Sequence, residues 1–338
     1  MMASFLTLGM TSSARGAAEP AVGPIAESRF VSIGGIDQWI DIRGGDRRNP
    51  VLLVVHGGPG EAQWPVAAHY RPWESRFTVV QWDQRGAGHT YGRYGPETPE
   101  MTLDRIGNDG VELAAYLCRT LAKKEIIVLG HSWGSMVAVT MIQRRPELFA
   151  AYVGTGQVGS WTGALKVKFD LVLAKARADG DRATVMTLET RGPPDPADAK
   201  AVFAFNDSVF PLWPPSDVAW VKALRADIPR QQAADPKNFK DFMDGFQFSA
   251  ERVVPDQMKA DLPETANRIA TAFFVIQGRE DVITPTKDAK AYFDCVVAPY
   301  KDMIVIPDAG HFAFMTAPAA FLDALVAKVR PVAIARGA

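Results

Sequence analysis

Glu125-Ile126-Ile127-Val128-Leu129-Gly130-His131-Ser132-Trp133-Gly134 is the stretch on which the reading of this chain turns. Its apolar run reads as a buried strand, and a helical pattern over residues 136–145 follows. A serine between two glycines at a strand-to-helix turn matches a nucleophile elbow, in which a strained turn lifts the hydroxyl clear of the sheet. Glycines are needed there because backbone and neighbouring helix come too close for a Cβ. Ser132 is therefore the candidate nucleophile.

Upstream of this turn, residues 29–33 and 37–42 read as a hairpin around Gly34-Gly35. Residues 51–55 and 77–80 are short apolar runs that end sharply at Gly or Asp clusters, as strands buried on both faces do. Residues 103–121 carry helical periodicity, and residues 152–154 read as a short strand after the elbow helix. From 158 to about 263 strand signals almost vanish. Helix-like stretches, proline-rich breaks such as Gly192-Pro193-Pro194 and many aromatics, Trp161, Phe203, Trp220 and Phe246 among them, take their place. Alternation then resumes with a strand at 273–276, a helix at 285–293, a strand at 303–306 and a closing helix at 318–329. This pattern predicts an α/β fold, a mostly parallel central sheet flanked by helices, with a helical lid inserted between two core strands. The expected divisions are a leader at 1–24, core at 25–157, lid at 158–263 and core again at 264–338.

The 338 residues, 47% hydrophobic and 22% charged, suffice for one large α/β domain and an insertion. A formal net charge of -1 with no Lys/Arg-rich block gives no electrostatic reason to expect nucleic acid. A small molecule or short peptide is the expected substrate. No apolar stretch reaches the roughly 18 residues that a membrane helix needs. The leader holds a short apolar patch and Gly16-Ala17-Ala18, but no basic residue precedes the patch. It reads as disordered or as a signal remnant, with the cytoplasm favoured over export. Cys118 and Cys295 have neither zinc-site nor C-x-x-C spacing and are expected to be two buried thiols, with a disulfide open to an exported chain. No metal or other cofactor is expected.

A serine hydroxyl needs a base, and the base needs an acid that fixes its tautomer. Among five histidines, His311 follows the last strand on a Gly-containing loop, where open α/β sheets place their sites. Asp281, after the preceding strand, is the expected acid, with Glu280 as the fallback. The loop His56-Gly57-Gly58-Pro59-Gly60 follows an early strand and offers inward amides. The oxyanion donors are assigned to the backbones of Gly58 and Trp133.

His56-Gly57-Gly58-Pro59-Gly60, Trp82-Asp83-Gln84-Arg85-Gly86-Ala87-Gly88 and Gly130-His131-Ser132-Trp133-Gly134-Ser135 together resemble the prolyl aminopeptidase (proline iminopeptidase) family of α/β-hydrolase serine peptidases. The chain order Ser132, Asp281, His311 is the one those folds use. The resemblance covers about 29–157 and 272–329 and departs at Ala87, His89-Thr90 and His131. It implies that Ser132, Asp281 and His311 form the triad, that Gly58 and Trp133 are the oxyanion donors, and that 83–88 is a structural turn beside the site. It also implies acidic recognition of the substrate's free α-amine. Glu61, immediately after the oxyanion loop, is the candidate for that contact. The lid acids Glu189, Asp207, Asp217, Asp241, Asp244 and Glu251 are each expected to be solvated surface charges.

The leading expectation is a metal-free serine hydrolase working through an acyl-enzyme, an aminopeptidase releasing N-terminal proline or another small residue. The same machinery serves a carboxylesterase, lactonase or amidase on uncharged substrates, and a non-catalytic ligand receptor is the remaining alternative.

Overall fold

The computed structural model describes residues 22–338. Most of the expected leader, residues 1–21, lies outside the described residues.

Eight strands form one sheet in the order β1-β2-β4-β3-β5-β6-β7-β8. They are β1 (Ile25–Ile33), β2 (Ile36–Gly44), β3 (Val51–Val55), β4 (Thr78–Asp83), β5 (Ile126–His131), β6 (Phe149–Thr155), β7 (Ala272–Gly278) and β8 (Lys301–Ile306). The β1-β2 hairpin is antiparallel and pairs antiparallel with β4; every pairing from β4 to β8 is parallel. Strands β3 to β7 are buried at every residue because both faces are covered, which is why their sequences are nearly continuous apolar runs.

The period of two along a strand sorts these residues between two cores. Leu53 and Val55 of β3 join Ile126 and Val128 of β5 on one face, beneath α2 (Leu103–Thr120) and α3 (Trp133–Arg144). Leu52, Val54, Ile127 and Leu129 face the other way. There they meet Trp73, from the 3-10 segment Trp64–Ser75, and Phe321 of the C-terminal helices, whose rings stack at 5.6 Å.

Between β6 and β7 the chain is helical: α4 (Trp161–Ala178), α5 (Arg182–Arg191), α6 (Ala199–Asn206), α7 (Pro215–Ala234), α8 (Pro236–Gln257) and the short α9 (Leu262–Thr265). Helix α1 (Gly88–Tyr94) precedes α2, and α10 (Thr286–Cys295) joins β7 to β8.

Three local expectations need correction. Strand β4 runs to Asp83 rather than ending at residue 80, because Gln81, Trp82 and Asp83 pair with Asp41, Ile40 and Trp39 of the hairpin. The closing helix starts at Pro318 as expected but runs past residue 329, as α12 (Pro318–Ala324), a wider π turn at Leu325–Val329 and α13 (Arg330–Arg336), with the short α11 (Ala313–Thr316) before it. Pro331 lacks the N–H that an unbroken helix would use, and the chain widens one turn ahead of it. Cys118 is buried as expected but Cys295, the last residue of α10, is exposed, and both thiols are free. Among the described residues no helix is long and apolar enough to cross a membrane.

The elbow is the tightest point of the fold. A Cβ at Gly134 would lie 2.1 Å from Val55 O and 2.6 Å from His56 O; at Gly130 it would lie 2.4 Å from Gly134 O. These neighbours are backbone atoms, so no side chain can give way. Gly134→Ala is expected to lower unfolding free energy by about 3 kcal/mol, the upper end of overpacking costs. Urea denaturation reads the loss, and an unchanged midpoint would refute this account of the packing.

Candidate active site

Ser132 sits between β5 and α3 with φ 53° and ψ -123°, a backbone conformation that L-residues rarely adopt. Its amide donates to Thr155 O (3.0 Å), and its carbonyl accepts from Ser135 N (2.8 Å) and Ser135 Oγ (2.7 Å). The backbone is thereby pinned on both sides. The hydroxyl borders an open cavity of about 280 Å³ and makes no hydrogen bond to His311 or to any other described group.

His311 lies in the loop after β8. Its Nδ1–H donates to Asp281 Oδ2 at 3.0 Å, and Thr284 Oγ1 stands 3.1 Å from the same nitrogen. Asp281 accepts four further hydrogen bonds: Ile283 N (2.9 Å) and Thr284 N (3.0 Å) on Oδ1, Thr284 Oγ1 (2.9 Å) and Gln277 Nε2 (2.8 Å) on Oδ2. A carboxylate so fully bonded is fixed in orientation. The fallback, Glu280, is exposed, and its amide donates to Ala309 O instead.

The remaining histidines have other partners. His131 packs its ring 4.8 Å from that of His311 and donates from Nε2 to His311 O at 3.2 Å. Burial, reinforced by His311, pushes its pKa well down and keeps it neutral. Burial likewise lowers His56, whose Nε2 accepts from Gln84 N. His89 bonds Asp83 (2.7 Å) and stacks on Trp39 (4.7 Å), while His69 is exposed against Trp220.

The parallel pairing of β3 with β5 sets Val55 beside Gly130, so the loop that carries Gly58 leaves its strand next to the elbow. Neither the Gly58 amide nor the Trp133 amide donates to any other described protein group. Both border the serine: Gly58 lines the cavity with it, and Trp133 follows it in the chain.

Glu61 is partly exposed, and its carboxylate has no ion-pair or hydrogen-bond partner among the described residues. Burial raises its pKa, while the nearby His311 opposes the rise. The buried Tyr70, also raised by burial, feels the same carboxylate and donates to Gln63 Oε1 at 2.8 Å.

The expectation that every lid acid is a solvated surface charge fails at Asp217. It sits in the first turn of α7, 1% exposed, and accepts the His311 amide at 2.7 Å. Burial raises its pKa, and its other oxygen has no partner. Asp217 therefore ties the lid to the histidine loop. No sequence signal marks it, because this contact spans 94 residues. Gln277 and Thr284, which hold Asp281, also escaped the sequence reading, as did Lys168 and Asp288 on the cavity wall. Trp161, Phe203 and Phe246 form apolar wall; the two Phe rings are 49% and 40% exposed, so they face open space rather than lid core.

Residues 51–324 match the model of the Alpha/beta hydrolase family, and the chain belongs to that family. It is 27% identical over 311 residues to the probable aminopeptidase YbaC of Bacillus subtilis (strain 168), spanning 90% of this chain and 97% of that protein. The crystal structure of a proline iminopeptidase-related protein from Thermus thermophilus superposes with a TM-score of 0.65 at 19% identity, covering 91% and 99% of the two chains. Proline iminopeptidase from Mycobacterium smegmatis gives 0.60 at 20%, with the same coverage. The resemblance read from the three motifs thus recurs among relatives and structural neighbours.

Two outcomes follow from the charges around the site. Asp217→Ala leaves the His311 amide buried and unpaired and is expected to cost about 1–3 kcal/mol by urea denaturation. Asp217→Asn retains an acceptor and should lose less. Lys168 is held down to about 8 by burial, against an ordinary value of 10.5. Between those values the unfolded chain binds the extra proton, so stability rises with pH through this group and its penalty is greatest below about pH 8. Lys168→Met is therefore expected to stabilise the protein at pH 7, on the order of 2 kcal/mol after allowing for partial exposure. The gain should shrink toward pH 10; a variant less stable than the parent at pH 7 would reverse the sign.

Proposed function

We propose that this chain is a serine hydrolase that works through an acyl-enzyme, and that its substrates are peptides with a free N-terminal amine. The observations that carry the first part are His311, held through Nδ1 by a fully bonded Asp281, and a serine whose own backbone is pinned in the elbow. With Nδ1–H on Asp281, Nε2 is the basic nitrogen. It takes the Ser132 proton as Oγ attacks the acyl carbon. The Gly58 and Trp133 amides, both without a protein acceptor, donate to the resulting oxyanion. His311 returns the proton to the leaving amine as the C–N bond breaks. A water, deprotonated by the same nitrogen, then attacks the ester, and Ser132 leaves with the proton. The approach of Ser132 Oγ to Nε2 is made in the substrate complex, as is common for catalytic hydrogen bonds.

The finer part rests on Glu61. A carboxylate without a counter-ion, next to the base and directly after the oxyanion loop, suits an α-ammonium two bonds from the scissile carbonyl carbon. Similarity to a probable aminopeptidase over nine-tenths of the chain supports the same reading. The aromatic wall of Trp161, Phe203 and Phe246 favours the second reading, an esterase or amidase on apolar uncharged acyl groups.

Initial rates on proline para-nitroanilide, its N-acetylated form and para-nitrophenyl butyrate separate the two. Cleavage of the free amine with loss on acetylation is expected, and that ratio should collapse in Glu61→Gln. Hydrolysis of the butyrate alone selects the esterase. Ser132→Ala should lower turnover by about 10⁶; a near-normal rate removes the serine from the mechanism.

A further inference from the structure

The cavity beside Ser132 contains a charge that the acyl transfer does not use. Lys168, on α4, lines it together with Asn206 of α6 and Asp288 of α10. Its neighbours on the same helix, Lys166 and Lys175, form i,i+4 ion pairs with Asp170 (3.0 Å) and Asp179 (2.6 Å). Lys168 has Val172 at that spacing and turns inward instead. Its ammonium has one described protein contact, Asn206 Oδ1 at 3.4 Å, which is long for a charged donor.

The carboxylates that act on it, Asp281 and Asp288, form no ion pair with it. Asp281 is filled by its donors and His311. Asp288 takes the amides of Gly159 (3.2 Å) and Ser160 (3.0 Å). A pKa of about 8 leaves Lys168 charged at neutral pH. A cation kept inside a partly apolar cavity with most of its bonding capacity unused is costly to the fold, and such groups mark recognition sites.

We propose that Lys168, assisted by Asn206, binds a carboxylate of the substrate. One ammonium with Asp288 close by suits a monoanion rather than a phosphate dianion. The carboxylate has two sources: the C-terminal α-carboxylate of a short peptide, or the side chain of an acidic acyl residue. With Glu61 on the amine, the first source would make the enzyme selective for short zwitterionic peptides. The proposal rests on Ser132 being the nucleophile in this cavity, but not on amine recognition.

The test compares kcat/KM on pairs that differ only in charge. Mono-para-nitrophenyl glutarate against its methyl ester requires ester hydrolysis alone. Alanyl-alanine against its C-terminal amide, and glutamate against glutamine para-nitroanilide, identify the source. The native enzyme is expected to prefer the carboxylate in at least one pair by about tenfold or more, carried by KM. Lys168→Met and Lys168→Gln should lose the preference, and Lys168→Arg should keep part of it. Equal rates within every pair, or a preference that survives Lys168→Met, overturn the proposal.

Fluorophosphonate labelling of Ser132 separates this failure from failure of the hydrolase reading. If Ser132 is not labelled and no ester is cleaved, the hydrolase reading falls. The carboxylate site is then decided by whether glutarate, and not glutaramide, raises the Tm of the native protein but not of Lys168→Met.

Discussion

Everything at the site depends on two missing Cβ atoms. Because Gly130 and Gly134 have none, α3 leaves β5 with its first turn against the carbonyls of Val55 and His56, at distances no alanine could reach. That packing holds three things at once. It forces Ser132 into positive φ. It sets the end of β3, and so the glycine loop after it, beside the serine. It also aligns β6 so that Thr155 can take the Ser132 amide. The strain at one residue is over-determined by three neighbouring strands and a helix, which is how such a conformation persists.

Around that fixed point the charges divide into bonded and unbonded. Asp281 has every lone pair occupied, and Asp217 crosses from the lid to hold the His311 amide, so the histidine is positioned from the core and the lid together. Glu61 and Lys168 are different. Each is hindered by burial from carrying its charge, and neither has an opposite charge within ion-pair distance among the described residues. Lys168 lines the same cavity as Ser132, and Glu61 acts on His311, so two charges of opposite sign are left without an ion-pair partner around the site.

Family membership fits this division. The α/β-hydrolase scaffold of residues 51–324 is shared with proteins of several named activities, and the structural neighbours at about 20% identity speak to the fold alone. What separates activities on such a scaffold is the pocket, here built from α4, α6 and α8 of the inserted helical block.

Sequence by itself determined the sheet, the elbow and the residues on the loops that follow the strands. Those features depend on local signals: continuous apolar runs for strands β3 to β7, paired glycines for a turn, and His311 and Asp281 directly after strand ends. Only the tertiary structure decided which acid meets His311, since Glu280 and Asp281 are adjacent and differ only in the direction they face. It also decided that Asp217 is buried, that Cys295 is exposed, and that Lys168 leaves the ion-pair pattern of its own helix. Each of these outcomes depends on contacts between segments far apart in the chain, or on which face of a helix the rest of the molecule covers. A charged residue's letter carries no trace of either.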